Sequence, residues 1–175
     1  AALGPGDSPA QHEKDTLDPG AGLCDAAAVK VLVSEGPDAV RRLIERGASF
    51  DLEESGEIAL TREGGHHRNR ILHAGGDATG AEVSRALLAA VHNDPQIEVL
   101  EHALVLDALK NSDGAVCGVT LHVIGAGSRD GVGRAIGRAV VLATGGLGQV
   151  FAQTTNPSVS TGDGVALALR AGAKV

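Results

Sequence analysis

Aromatic side chains are almost missing from this chain of 175 residues: Phe50 and Phe151 are the only two, and Trp, Tyr and Met are absent. The hydrophobic core must therefore be built from Val, Leu, Ile and Ala, and aromatic platforms for stacking on bases are lacking. Basic charge is also scarce, because 15 Lys and Arg face 22 Asp and Glu, giving a formal net charge of −7. These two deficits argue against a nucleic acid as the partner.

Cysteine and long apolar runs are scarce as well. Cys24 and Cys117 show neither CxxC nor Cys/His ligand spacing, which predicts two reduced thiols in a cytoplasmic protein. No apolar run reaches the roughly 18 residues that a membrane span requires, so we expect no membrane partner. Glycine, by contrast, occurs 25 times, about twice its usual share. Its pairs and short clusters favour tight turns and close approach of the backbone to a ligand.

Helical signals dominate the first half of the chain. Ser8 followed by Pro9 predicts a helix that ends at the break over residues 18–20. Two more short helices are predicted, over about residues 25–35 and 37–47, because a Gly-Pro pair interrupts their apolar spacing.

The pattern changes in the second half. The sequence TGAE at residues 79–82 has the form of a capping box, and the helix after it has a predicted apolar stripe of Val83, Leu87, Leu88 and Val91. Residues 97–109 and 115–125 predict an antiparallel hairpin, whereas the apolar run at 139–143 is typical of a strand buried in a parallel sheet. A last helix is predicted from about Thr161. The fold class is therefore α/β.

Two glycine-rich segments could approach a nucleotide. GAGSRDG, residues 125–131, fails the dinucleotide fingerprint because its third glycine is one residue late and a strand follows, so we interpret it as a hairpin loop. ATGGLGQVF, residues 143–151, is either an ordinary turn after a strand or an edge that contacts a nucleotide. In STGDG, Asp163 could cap the last helix or accept hydrogen bonds from a ligand.

The densest stretch is TREGGHHRNRILHAGGDATG, residues 61–80, which contains His66, His67 and His73. A metal site is disfavoured, since adjacent histidines diverge and His73 has no second ligand at helical spacing. Nucleophile-elbow and P-loop motifs are missing too. The residues alone leave two readings open: catalysis, or a hydrogen-bonded loop network.

Three strings carry a resemblance to a known family: LTREGGHHRNRILHAGGDATGAEV (residues 60–83), AVVLATGGLGQVFAQTTNPSVSTGDGVALALRAGA (139–173) and DTLDPGAGLCD (15–25). Together they closely resemble the L-aspartate oxidase branch of the flavoprotein family that also contains succinate dehydrogenase and fumarate reductase. The resemblance implies that residues 1–175 are the central portion of a doubly wound FAD-binding domain, with a small antiparallel hairpin and several short helices. It places the G-x-G-x-x-G unit before this chain, and the capping and helical domains after it.

The resemblance also implies roles for particular residues. Glu63 would face the substrate's ammonium group, and noncovalent FAD would be contacted by the following residues: Leu104, Val105, Ala143, Thr144, Gly145 and Asp163. The implied reaction oxidises L-aspartate to iminoaspartate, with oxygen or fumarate as the electron acceptor. The product would feed quinolinate and NAD synthesis, with quinolinate synthase as a candidate partner. The alternatives are a fumarate reductase or succinate dehydrogenase type of flavoprotein, or a folded module that is inactive by itself and retains no FAD.

Overall fold

The structure is a computed structural model that describes residues 1–125, 127 and 130–174. It divides into two compact units, Ala1–Glu98 and Val99–Val175. The helices and strands of the first unit are α1 (Pro9–Leu17), α2 (Ala26–Glu45), β1 (Leu60–Thr61), β2 (Ile71–Leu72) and α3 (Thr79–His92). Those of the second are β3 (Ala103–Lys110), β4 (Val116–Val123), β5 (Gly131–Ile136) and α4 (Asp163–Arg170). This mixture of helices with small antiparallel sheets confirms the α/β expectation.

Helix α1 begins and ends where the sequence predicts. Ser8 is its N-cap, and the Ser8 hydroxyl accepts a hydrogen bond of 3.2 Å from the backbone N–H of Gln11. Pro9 follows at the first helical position, where its missing N–H costs nothing. The helix stops at Leu17, two residues before Pro19.

The prediction of two short helices over residues 25–35 and 37–47 is wrong. The structure has one continuous helix, α2, with Pro37 inside it. Val29, Val33 and Pro37 are the buried residues of α2, and they are spaced by four so that they share one face. Helix α2 packs on α1. Burial of this apolar face therefore offsets the backbone hydrogen bond that the proline removes.

The capping box predicted at residues 79–82 is also wrong. Ala78 is the N-cap of α3 and makes no side-chain capping bond. The carboxylate of Glu82 instead accepts hydrogen bonds from the backbone of Ser49, at 2.7 Å, and from Arg85. These partners hold the pKa of Glu82 at about 2, the Arg85 side chain having the larger effect.

The predicted apolar stripe of α3 is wrong in part. The buried residue of the helix is Ala86, whereas Leu87 and Leu88 are 37% and 54% exposed. In the described part of this unit, the contact of α3 with α2 covers only a narrow face.

The second unit contains an antiparallel sheet in the order β3-β4-β5. The predicted hairpin is confirmed as β3 and β4, and Asn111 shapes its turn by accepting hydrogen bonds from the backbone of Asp113 and Ala115 at 3.0 and 2.9 Å. Strands β4 and β5 are antiparallel neighbours, as a hairpin connection requires. Residues 126, 128 and 129 of the loop predicted at 125–131 lie outside the described residues.

The strand predicted at residues 139–143 is not formed. The segment has no strand partner among the described residues, and its Val141 is 87% exposed. A strand requires a neighbour to pair with its backbone N–H and C=O groups. The apolar run thus has a composition typical of a strand but is not part of a sheet in this structure.

Small aliphatic side chains form both cores, as the shortage of aromatic residues predicts. The buried apolar residues are Val29, Val33, Ala48, Ala74 and Ala86 in the first unit, and Leu121, Val123 and Leu167 in the second. Phe151 is 64% exposed and contributes little. No helix of the described part is both long enough and apolar enough to cross a bilayer.

Candidate functional site

The loop at residues 62–69 carries Glu63 and is closed at its base by backbone pairing. Strands β1 and β2 are antiparallel, with Leu60 opposite Leu72. The backbone N–H of Arg70 donates to the carbonyl of Thr61 at 2.8 Å. Both ends of the loop are therefore held in place by backbone hydrogen bonds.

A buried ion cluster lies beneath this loop. Arg70 is fully buried and donates to both carboxylate oxygens of Asp7, from Nε at 2.7 Å and from Nη2 at 2.8 Å. Its Nη1 donates to Asp15 of α1 at 2.5 Å. One guanidinium thus bridges two acids with the paired geometry that favours arginine over lysine.

Asp15 also binds the loop directly. Its Oδ2 accepts from the backbone N–H of His67 at 3.0 Å, and its Oδ1 lies 2.8 Å from the His67 ring Nδ1. The backbone bond from His67 and the Arg70 side chain hold the pKa of Asp15 well below its usual range. For Asp7, burial alone would raise the pKa, but hydrogen bonds from Arg70 and Ser8 give a net lowering. Both acids are therefore carboxylates at neutral pH.

Two histidine rings pack beside the cluster. The rings of His12, from α1, and His66, from the loop, meet edge to face with centroids 5.3 Å apart. The Nδ1 atom of each ring is buried and has no hydrogen-bond partner among the residues that the structure describes. Burial lowers the pKa of His12, and positive neighbours including Arg70 lower it further. His12 is therefore neutral at physiological pH.

We expect the stability of the first unit to fall in two stages on acidification. His12 has a lowered pKa in the folded state, so stability decreases as the pH falls below its ordinary value of 6.5, where the unfolded chain takes up the proton first. Asp7, Asp15 and Glu82 also have lowered pKa values, so a second decrease begins near the ordinary values of 4.5 for Glu82 and 3.8 for the two aspartates. Thermal unfolding followed by far-UV circular dichroism across pH measures both. His12→Gln should remove only the first stage, and a profile unchanged by this substitution would contradict the assignment.

The third histidine of the dense stretch also belongs to a hydrogen-bond network. His73 Nε2 lies 2.7 Å from the Thr61 hydroxyl, and its Nδ1 lies 3.2 Å from the carbonyl of Gly76. Asp51 accepts hydrogen bonds from the backbone of Gly75 and Gly76 at 2.9 and 3.3 Å. Of the two readings of residues 61–80, the geometry thus favours a loop network for the histidines.

Glu63 differs from these neighbours because its side chain makes no hydrogen bond in the described part of the chain. The residue is exposed, and its backbone carbonyl accepts from the N–H of His66 at 3.2 Å, which closes a tight turn. A cavity of about 780 Å³ lies beside the loop and is lined by residues including His67, Arg68 and Asn69, but not by Glu63. The carboxylate of Glu63 is therefore available to a ligand outside this cavity.

In the second unit, residues 143–146 pack on the start of α4. The side chain of Thr144 lies directly against Gly164, where a Cβ atom on Gly164 would be 2.6 Å from the Thr144 Cβ. The backbone N–H of Gly162 donates to the carbonyl of Gly146 at 3.2 Å. Glycine at position 164 thus allows the segment and the helix to touch.

Asp163 is the first residue of α4, and its carboxylate accepts a hydrogen bond of 2.7 Å from the Thr161 hydroxyl. The capping reading of Asp163 is wrong, because Gly162 is the N-cap. Leu104 and Val105 lie on β3 and are exposed. Arg170 links α4 to this strand by donating to the Leu106 carbonyl at 2.9 Å.

The structure thus brings Ala143, Thr144 and Gly145 to the start of α4, beside Asp163. It places Leu104 and Val105 on the strand that α4 packs against, and Glu63 in the other unit. Sequence reasoning missed Asp7, Asp15, Arg70 and Gly164. Asp7, Asp15 and Arg70 come together only in the tertiary structure. Gly164 could have been found from the sequence, because it lies near the start of a predicted helix and follows a Gly-Asp pair.

The start of α4 fits a polar, anionic cofactor. Gly145 has φ +72°, and a Cβ atom on Gly145 or Gly146 would meet no described residue within 4 Å apart from its chain neighbours, so the backbone there is open to a ligand. No side chain of the described residues caps the first N–H groups of α4. Free N–H groups at a helix N-terminus favour phosphate or other anionic groups.

Comparison with known proteins assigns the class. The family described as an FAD binding domain matches residues 1–175, and the chain belongs to this family. FAD is accordingly its cofactor. The α/β fold with small antiparallel sheets agrees with that assignment.

Its relatives include L-aspartate oxidases. The chain is 67% identical over 175 residues to the L-aspartate oxidase of Streptomyces coelicolor, covering 100% of this chain and 30% of that protein. It is 48% identical over 179 residues to the chloroplastic L-aspartate oxidase of Arabidopsis thaliana, covering 100% of this chain and 27% of that protein. The chain therefore spans less than a third of the length of these relatives.

Solved structures with the same fold come from related complexes. A quinol-fumarate reductase with menaquinol molecules superposes with a TM-score of 0.86 at 31% identity, over 97% of this chain and 28% of that one. The Mycobacterium smegmatis Sdh1 complex gives a TM-score of 0.83 at 32% identity, over 97% of this chain and 30% of that one.

Proposed function

We propose that this chain is the central portion of the FAD-binding domain of an L-aspartate oxidase, which oxidises L-aspartate to iminoaspartate. The observation that carries the proposal is the exposed carboxylate of Glu63, which has no hydrogen-bond partner among the described residues and lies on a loop fixed by a buried ion cluster. Such a carboxylate suits an ammonium group, because two opposite charges about 4 Å apart near a protein surface, where the effective dielectric constant is about 20, attract by ~4 kcal/mol before desolvation is subtracted. The identity to two L-aspartate oxidases supports the same substrate.

Noncovalent FAD would be held by the open backbone of Ala143, Thr144 and Gly145 together with Asp163 and the start of α4. The backbone at Leu104 and Val105 would contact the cofactor near its adenine. When bound, FAD supplies the acceptor for the substrate's hydride and passes the electrons on to oxygen or fumarate. Glu63 would bind and orient the substrate's ammonium group.

We also propose which segments flank these residues in the full-length protein and what becomes of its product. The G-x-G-x-x-G unit would precede these residues, and the capping and helical domains would follow them. The product iminoaspartate would feed quinolinate formation in the cytoplasm, and quinolinate synthase is the proposed protein partner. The isolated 175 residues would be inactive and retain no FAD.

Glu63→Gln in the full-length protein tests the substrate assignment. We expect kcat/KM for L-aspartate oxidation to fall about 10- to 100-fold, because a hydrogen bond to a charged group contributes ~1.5–3 kcal/mol. Fumarate reduction should change little, since fumarate has no ammonium group. Steady-state kinetics with both substrates measure the difference. Glu54→Gln, which neutralises another exposed carboxylate of the same unit, is the matched control.

The second candidate is a fumarate reductase or succinate dehydrogenase type of flavoprotein, favoured by the superposition on quinol-fumarate reductase. A protein of that type acts on dicarboxylates without an ammonium group. Glu63→Gln would then leave any aspartate kinetics unchanged. This result would reject the L-aspartate oxidase assignment.

A further inference from the structure

The direction of the Glu63 side chain is not fixed by any hydrogen bond of its own in the described residues. Its position therefore depends on the backbone of the loop at residues 62–69. The contacts that hold this backbone in place therefore also determine where the negative charge of Glu63 meets a ligand.

Helix α1 holds the loop along one face. His12 packs on the ring of His66, with centroids 5.3 Å apart. Seven residues further on, Pro19 lies so close to Gly65 that a Cβ atom on this glycine would be 2.8 Å from the proline Cγ. Asp15 lies between the two in sequence; positions 12 and 15 share a face of α1, and Pro19 lies in the turn that follows the helix.

Asp15 is the charged member of this face and binds both the loop and its base. It accepts hydrogen bonds from the backbone and ring of His67, at 3.0 and 2.8 Å, and from Arg70. Asp15 is only 4% exposed, so water competes little for these bonds. We infer that Asp15 is a positioning residue that, through His67 and Arg70, fixes the Glu63 loop and thereby the preference for a substrate with an ammonium group.

This inference rests on the proposed role of Glu63 and makes a separate prediction. The activity on substrates that carry an ammonium group should depend on Asp15, whereas the activity on dicarboxylates without an ammonium group should not. A role of Asp15 limited to general folding would reduce both activities by the same factor.

The test is Asp15→Asn in the full-length protein, with kcat/KM measured for L-aspartate oxidation and for fumarate reduction. Asparagine keeps the size but removes the charge that Arg70 and His67 bind. We expect the ratio of the two values to fall about tenfold, because a displacement of about 1 Å can cost up to two orders of magnitude in rate. Asp18→Asn, at an exposed carboxylate three residues along the chain, should leave the ratio unchanged.

The same substitution in a Glu63→Gln background separates positioning from other effects. If Asp15 acts through Glu63, Asp15→Asn should cause no further fall in the ratio once the Glu63 charge is gone. If Glu63→Gln alone leaves the ratio unchanged, the proposed function itself fails. If Glu63→Gln lowers the ratio but Asp15→Asn does not, the proposed function stands and this inference is overturned.

Gly65→Ala provides a second route should Asp15→Asn fail to fold. Gly65 has φ +72°, and the added Cβ would press on Pro19, so the loop should shift away from α1 with every charge retained. The aspartate-to-fumarate ratio should fall here too. An unchanged ratio in folded Gly65→Ala would overturn the role of α1 in placing Glu63.

Discussion

Gly164→Ala should reduce the affinity of the full-length protein for FAD by at least about tenfold. The new Cβ would lie 2.6 Å from the Cβ and 3.0 Å from the Cγ2 of Thr144. Thr144 is short and branched at Cβ, so rotating its side chain cannot clear both contacts. The segment at residues 143–146 must instead move away from α4. The expected loss of affinity corresponds to a change of about 1–2 kcal/mol in the free energy of FAD binding. Titration of the apoprotein with FAD, followed by flavin fluorescence, measures the dissociation constant.

Gly80→Ala is the matched control for this experiment. Gly80 is the second residue of α3, as Gly164 is of α4, but a Cβ atom at Gly80 would meet nothing within 4 Å. Alanine there should stabilise the helix by about 0.5–1 kcal/mol and leave FAD affinity unchanged. Equal effects of the two substitutions on FAD affinity would show that the contact of Thr144 with Gly164 does not shape the cofactor site.

Arg70→Ala should produce the largest loss of stability in the first unit. It would leave the carboxylates of Asp7 and Asp15 buried without their shared cation. Removing one partner of a buried ion pair typically costs about 3–5 kcal/mol. For a chain of this size the loss corresponds to a decrease of roughly 10 °C in the unfolding midpoint, which thermal unfolding by far-UV circular dichroism measures.

Arg41→Ala is the comparison for this prediction. The Arg41 guanidinium lies 2.6 Å from Asp38, but the two side chains are 60% and 69% exposed. An exposed pair of this kind contributes about 1 kcal/mol or less. Similar midpoints for the two variants would contradict the buried, paired state of Arg70.

The sequence predicted the features that depend on local chemistry. The start of α1 follows from Ser8 and Pro9, and the β3-β4 hairpin follows from alternating strands around the Asn111 turn. Helix α2 could not be predicted in full, because the burial of Pro37 is a tertiary effect that local propensity does not contain.

The site was predictable to a smaller extent. Residues 143–145 and Asp163 were selected from sequence, and the structure brings them to the start of α4, although their contact with FAD stays a prediction. The cluster of Asp7, Asp15 and Arg70 was not predictable, because its members are up to 63 residues apart and no spacing rule connects them. The strand predicted at 139–143 was wrong, because an apolar composition favours a strand but strand formation depends on a neighbour.

The aliphatic cores have an optical consequence. Without Trp or Tyr, these 175 residues have almost no absorption at 280 nm and no intrinsic tryptophan fluorescence. Their near-ultraviolet dichroism is restricted to the weak bands of Phe50 and Phe151. Flavin emission or dichroism can therefore be recorded against a nearly dark background from these residues, and their concentration is best measured by peptide-bond absorption or amino-acid analysis.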